Sequence, residues 1–217
     1  MPDSVRHIVC FRSPKALLAL FLIALSLAVP ALCQQAAIQL PAAQTTGGMP
    51  LMEALAKRQT TRAFADKPLP LQTLSNLLWA AFGVNRPRAV MAGTGRTAPS
   101  AFNKQEVELY VVLADGVYVY EAERNRLRPV AAGDMRAKVG TGAAVRAAVT
   151  IVYVADAKLD YAQVDTGFIG QNVYLFAASE GLNSWLYAIH TPDVPAALKL
   201  AANLKPLYGQ SVGYPAQ

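Results

Sequence analysis

The chain predicts an α+β fold: a mixed, mainly antiparallel sheet flanked by helices. Three observations predict it. Val107, Leu109, Val111 and Leu113 alternate with more polar positions, Ala114-Asp115-Gly116 supplies a turn, and Val117-Tyr118-Val119-Tyr120 returns, which reads as a hairpin. Residues 148–155 form a continuous apolar run rich in β-branched side chains, suited to a central strand. Helical spacing separates these strands without strict βα alternation, which argues against a doubly wound parallel sheet.

The elements follow in order. At 217 residues, with 53% hydrophobic side chains, the chain can bury one substantial core. Residues 1–15 carry Arg6, Arg12 and Lys15, and 16–29 are almost unbroken Ala, Leu, Ile, Phe and Val. A basic segment followed by an apolar stretch too short to span a bilayer reads as a secretory signal peptide over residues 1–33, ending at Ala31-Leu32-Cys33. Export, in a bacterium to the periplasm, is therefore expected, with membrane attachment only if Cys33 is lipidated or the leader is retained. Cys10 and Cys33 are the two cysteines, so the processed chain has no disulfide and no thiolate chemistry.

Residues 34–50, rich in Gln, Ala, Thr and Gly, read as a flexible spacer before a domain over 51–217. A short helix is expected over 51–58. Leu74, Leu77, Leu78 and Ala81 recur at i, i+3, i+4 and i+7, a second helix that Gly83 stops. Residues 84–105 lack periodicity and read as a long loop with a binding role. A long helix is expected over 161–180, with Ile169, Val173, Phe176 and Ala177 on its inner stripe and Gly181 as its C-terminal cap. A short strand follows at 185–189, then a helix capped by Thr191 with Pro192 at its first position, and a last strand at 211–214.

Composition excludes several chemistries. The net charge of +6 is not gathered into Lys/Arg runs with interleaved aromatics, so nucleic acid is not an expected partner. One histidine, His190, remains outside the leader, and no Cys lies beyond residue 33. Ser-His-Asp and Cys-His hydrolases and His-rich metal sites are therefore poor fits, and no metal site is expected. No carboxylate pair suggests a glycosidase, and no Gly-x-Gly-x-x-Gly or P-loop follows a strand. A chain without a reactive side chain of its own is either a binder or an enzyme that borrows its chemistry from a cofactor.

Two segments are equipped to hold one. In the octet Lys57-Arg58-Gln59-Thr60-Thr61-Arg62-Ala63-Phe64, an extended backbone puts Arg58, Thr60 and Arg62 on one face, two cations and a hydroxyl suited to a phosphate. A solvated basic helix end accounts for that octet equally well. The loop Pro99-Ser100-Ala101-Phe102-Asn103-Lys104-Gln105 brings short side chains and amides that can face a planar, polar-edged ligand.

Together with Leu77-Leu78-Trp79-Ala80, Gly83-x-Asn85-Arg86, Gly167-x-x-x-Gln171-Asn172 and Val212-Gly213-Tyr214-Pro215, these segments resemble the FMN-dependent nitroreductase family. The branch they are most similar to includes the azoline (SagB-type) dehydrogenases. The likeness runs in order from residue 51 onward. It implies a nitroreductase-like fold, bound FMN, and a homodimer with a flavin at each subunit interface. It also implies hydride transfer through flavin N5 to nitroaromatic or quinone-type acceptors, with no protein side chain as catalyst. By resemblance, Arg58, Gln59, Thr60 and Arg62 of one subunit bind the cofactor, Arg58 and Thr60 at the phosphate and Arg62 toward the ring. Pro99, Ser100, Ala101 and Asn103 come from the other subunit, and Leu186, Tyr187 and Ala188 run along the ring. Phe102 sits at the mouth, where it favours flat aromatic or quinone-like substrates.

Relatives often carry Lys or Arg after Gly-Tyr-Pro, whereas Ala216 and Gln217 stand here. Either Lys205 or the octet compensates, or FMN is held more loosely. NAD(P)H as electron donor is at odds with export. Two alternatives stay open: a dehydrogenase that oxidises a heterocycle or peptide, and a non-catalytic flavin-binding protein.

Overall fold

The computed structural model describes residues 35–89, 93–156 and 158–216. The expected leader with Cys33 lies outside them. A seven-stranded sheet organises the domain: β1 (Ile38–Gln39), β4 (Glu108–Val112), β5 (Gly116–Glu121), β6 (Arg126–Ala132), β7 (Val149–Asp156), β8 (Asn183–Ala188) and β9 (Leu204–Gly213). The strand order is β1-β6-β5-β4-β7-β9-β8, and every pairing in it is antiparallel. A separate two-stranded ribbon pairs β2 (Val84–Arg86) with β3 (Gly95–Arg96). The helices are α1 (Leu51–Lys57), α2 (Leu71–Phe82), α3 (Arg136–Val139), α4 (Ala162–Ser179) and α5 (Val194–Ala197). The nitroreductase-like α+β expectation holds.

Strand alternation fills both faces of the sheet. Leu109, Val111, Tyr118, Ile151 and Tyr153 point to one side and pack with Leu74, Leu77 and Leu78 of α2 and Ile169 and Val173 of α4. Tyr110, Val112, Val117, Val152 and Val154 point to the other and meet Val139, Val194 and Leu198. Leu77 and Leu78 are fully buried, and each such leucine contributes roughly 1.5–3 kcal/mol.

α2 ends where expected, for a different local reason. Gly83 donates its N–H to the Trp79 carbonyl at 2.8 Å, yet its backbone is extended rather than left-handed. Glycine is needed there because a Cβ would lie 2.5 Å from Trp79 Cδ1. α4 does end on a left-handed glycine, Gly181 (φ 65°), and the Leu182 N–H reaches back to the Ala177 carbonyl at 2.8 Å.

Four local expectations are corrected. Ile38 and Gln39, expected in a flexible spacer, pair with Leu127 and Arg126, while Leu40 is buried and Ser75 Oγ donates to the Pro41 carbonyl at 2.6 Å. β6 had no expected counterpart because Arg126, Arg128 and Pro129 obscure its alternation. Pro129 is tolerated because β1 pairs only with Leu127 and Arg126, leaving no ladder partner for the missing N–H. β9 begins at Leu204, well before the expected 211, and a register shift opposite Tyr153/Val154 absorbs Leu207 beside Pro206. The last helix starts at Val194 rather than after Thr191, since Pro195 fits only its first turn.

Candidate functional site

β8 is an outer strand of the sheet, and its free edge is where the octet lands. From Arg58 the chain leaves α1 in an extended conformation (φ −57°, ψ 124°). Thr61 then pairs with that edge: its N–H donates to the Ser184 carbonyl at 3.0 Å, and its hydroxyl accepts from the Ser184 N–H at 3.2 Å. Asn183 Nδ2 donates to the Ala63 carbonyl, and Phe64 bridges to Pro215. Backbone groups alternate between the two edges of a strand, so those of Leu186 and Ala188 face the same way as those of Ser184.

Tyr174, half-buried on α4, ties this arrangement together. Its hydroxyl lies 3.1 Å from Thr60 Oγ1 and accepts the Leu186 N–H at 2.9 Å. The Arg58 guanidinium stands 5.6 Å from the centre of its ring. Arg62 lies farther along the segment, 5.1 Å over the Trp185 ring, which is 5.0 Å from Tyr187. A cleft of about 530 Å³ opens here between the octet, Tyr174, Asn183 and Pro215, within the size range of small-molecule sites. Arg58 and Gln59 line it, the Thr60 hydroxyl reaches Tyr174 beside it, and Arg62 points toward the β8 side chains.

A buried polar layer fixes this edge from beneath. Gln210 Nε2 donates to the Gly170 carbonyl and to Ser184 Oγ, each at 3.1 Å, and its Oε1 accepts from the Tyr153 hydroxyl. Burial pushes the Tyr153 phenol pKa strongly upward, so it stays a neutral donor. Thr150 Oγ1 and Ser211 Oγ are 2.7 Å apart, and Tyr187 Oη reaches Ser211 Oγ at 3.2 Å. Every member has a partner, so the network costs little to bury and holds α4, β8 and β9 in register.

The Pro99–Gln105 loop packs at the other end of α4. The Ala101 N–H donates to the buried Asp165 carboxylate at 3.1 Å. Asp165 sits nine residues before Tyr174, roughly 13 Å along the helix at 1.5 Å per residue. Pro99 is exposed. Ser100 Oγ accepts the Gln105 N–H at 2.7 Å, and Asn103 Nδ2 donates to the Thr94 carbonyl at 3.3 Å, so both side chains shape the loop itself. Phe102, Asn103 and Gln105 all have positive φ, near 53°, a costly conformation for non-glycine residues that clusters at functional sites. Phe102 is 63% exposed, its ring edge-on to Tyr161 with centroids 6.1 Å apart.

Sequence reasoning missed Tyr174, Trp185 and Asp165. Tyr174 falls between the buried and exposed stripes of α4, where helical periodicity gives no signal, and only the pairing of octet with β8 shows what its hydroxyl reaches. Lys205 does not serve as a phosphate contact within its own chain. It pairs opposite Ala155 at the start of β9, ten residues before Pro215 of the cleft, on the order of 30 Å away at strand rise. The octet is left as the basic element of the cleft.

The nitroreductase family model matches residues 55–214. The chain is 29% identical over 155 residues to the nitroreductase-type protein MJ1384 of Methanocaldococcus jannaschii, a match covering 62% of this chain and 76% of that one. A crystal structure of a nitroreductase-type protein from Ralstonia eutropha JMP134 superposes with TM-score 0.76 at 31% identity, covering 85% of this chain and 91% of that chain. A chain of the Escherichia coli microcin synthetase McbBCD complex shares the fold, with TM-score 0.61 at 19% identity over 95% of this chain and 96% of that chain. The family match over residues 55–214 thus makes the chain an oxidoreductase of α+β fold. The chain belongs to the nitroreductase family.

Proposed function

We propose that this protein is an exported, homodimeric, FMN-dependent oxidoreductase acting on flat nitroaromatic or quinone-type acceptors. The observation that carries the reading is the convergence of Arg58, Thr60 and the Leu186 backbone on the single hydroxyl and ring of Tyr174. A phosphate-binding pair is thereby held at a fixed distance from a strand edge able to hydrogen-bond a ring. The residues fit FMN: Arg58 and Thr60 at the phosphate, the β8 edge from Leu186 to Ala188 along the ring, and Arg62 as positive charge beyond it. When bound, FMN supplies hydride acceptance and donation at N5.

The protein's part is binding, orientation and exclusion of water. No side chain is asked to be acid or base. The homodimer is supported by apolar residues on both sides of α4: Ile169 and Val173 are buried, while Val164 and Phe168, with Tyr161 just before the helix, stay exposed. The partner's Pro99–Asn103 loop would close over the octet cleft with Phe102 at its mouth. Export rests on the basic segment and apolar stretch before residue 33.

Purified protein should be yellow, with the blue absorption band of an oxidised flavin. A preparation that stays colourless after added FMN and gel filtration ends the reading. Anaerobic mixing with NADH and with a quinol then identifies the donor. If neither reduces the flavin, the dehydrogenase direction, oxidation of a heterocycle or peptide, takes its place.

A further inference from the structure

We propose that a second cleft, between the C-terminal end of α2, Arg96 and the β4–β5–β6 face, is a binding site for a small carboxylate with an apolar body, separate from the octet cleft. It encloses about 470 Å³. Arg96 stands in its wall. Its Nε donates to Gln105 Oε1 at 2.6 Å and its guanidinium lies 5.5 Å from the centre of the Phe82 ring, but Nη1 is buried and has no partner. A buried charged donor left unpaired is costly and rare, and a guanidinium fork is matched best by a carboxylate.

Among the described residues no carboxylate supplies the missing acceptor. Glu121, in the same wall, is already held by Arg124 at 3.6 Å, by Arg128 at 3.1 Å and by Arg126. Glu108 also lines the cleft, and of its lining arginines Arg124 and Arg128 are paired with Glu121, whereas Arg96 has no ion pair among the described residues. Glu123 lies near enough to favour the charged form of Arg96 against the burial that disfavours it, yet the two form no ion pair. Val107, Leu109, Val119 and Ala122 supply the apolar part of a mixed lining that also holds Tyr120 and Glu123, room for a small apolar body beside the carboxylate.

The site is also wired to the Pro99–Gln105 loop. The Gln105 amide that accepts from Arg96 donates from its other end to the Thr94 carbonyl at 2.6 Å and to Asn103 Oδ1 at 3.0 Å. A carboxylate on Arg96 would therefore be felt at Asn103.

Benzoate is the probe, titrated by NMR into the full chain, with benzyl alcohol as the neutral control. Saturable benzoate binding with shifts at the Gln105 side-chain amide and Asn103, and no benzyl alcohol binding, is expected. Arg96→Gln should weaken benzoate at least tenfold. Glu123→Gln, which removes a competing negative charge from an exposed position, should tighten it severalfold, a gain that misfolding cannot imitate. Arg58→Ala should leave it unchanged. Affinity that is indifferent to Arg96→Gln and Glu123→Gln, or that falls with Arg58→Ala, overturns the proposal, as does a benzoate-soaked crystal with only water on Arg96 Nη1. None of these outcomes depends on whether FMN binds.

Discussion

The Tyr174 hydroxyl accepts the Leu186 backbone N–H at 2.9 Å, so a helix side chain completes the hydrogen bonding of an outer strand. The same oxygen lies 3.1 Å from Thr60 Oγ1. Tyr174→Phe keeps the ring under Arg58 and removes only this junction. Unfolding in urea should show a loss of about 1 kcal/mol, the usual net value of one hydrogen bond. FMN affinity should fall severalfold, because Thr60 and the β8 edge are no longer held together. If both measurements match the parent, the hydroxyl is idle.

Gly209 faces Tyr187 across the β8–β9 pair. A Cβ at residue 209 would lie 2.8 Å from Tyr187 Cε2 and 2.9 Å from Cζ. The ring cannot yield freely, since it is buried against Trp185 and its hydroxyl reaches Ser211. Gly209→Ala is therefore expected to destabilise by roughly 1–3 kcal/mol, the range for overpacking. A thermal melt indistinguishable from the parent would mean that β8 can shift outward at no cost.

Arg58→Ala should weaken FMN binding by roughly 1.5–3 kcal/mol, as for loss of a charged hydrogen bond. Isothermal titration of the flavin-free protein measures it. Lys205 is remote, and Lys57, the other cation lining the cleft, is paired with Glu53 at 2.8 Å, so neither is placed to compensate. An unchanged dissociation constant would remove Arg58 from the site.

What the sequence disclosed and what it withheld divide along a physical line. α2 and α4 were legible because their apolar residues repeat at helical spacing over several turns. The β4–β5 hairpin and β7 were legible from two-residue alternation and an unbroken β-branched run. β6 and the first half of β9 were not, because Pro129 and Pro206 look like breaks until one sees which neighbour or bulge absorbs them. The octet was recognisable by composition, but its anchor was not. That Thr61 pairs with Ser184, and Tyr174 with Leu186, depends on contacts more than a hundred and about a dozen residues apart. Asn103 adds a second case: its amide reads as a ligand group in the sequence, and only the fold shows that it also braces its own loop.

The Arg136 guanidinium, only 12% exposed, pairs with Asp134 at 2.8 Å and Asp66 at 3.2 Å and also donates to the Ala147 carbonyl. Hydrogen bonding from Arg136 holds the Asp134 carboxyl below its usual range. A depressed carboxylate contributes stability above its unfolded pKa, here near 3.8, and that contribution is lost as pH falls through the folded value. Asp134→Asn should therefore cost stability at neutral pH, at most about 1 kcal/mol because the pair is partly solvated. The cost should shrink toward zero in acid. Denaturation midpoints across that range test it, and a penalty independent of pH would point to backbone effects at the start of α3.

Phe168 and Val164 lie on the side of α4 that faces away from the sheet, 45% and 54% exposed, with Tyr161 beside them and Met52 of α1 75% exposed. Each large apolar side chain left in water forgoes roughly 1.5–3 kcal/mol of burial, and several adjacent ones make an association surface. Phe168→Glu would place a charge at the centre of that surface while leaving the buried stripe of Ile169 and Val173 untouched. Analytical ultracentrifugation should find the parent as a dimer and Phe168→Glu as a monomer of near-parental stability. Flavin retention should fall with the dimer, because the Pro99–Asn103 loop then has no octet cleft to close. A Phe168→Glu protein that remains dimeric would mean that the subunits meet elsewhere, and one that is monomeric yet holds FMN as tightly would confine the whole cofactor site to a single chain.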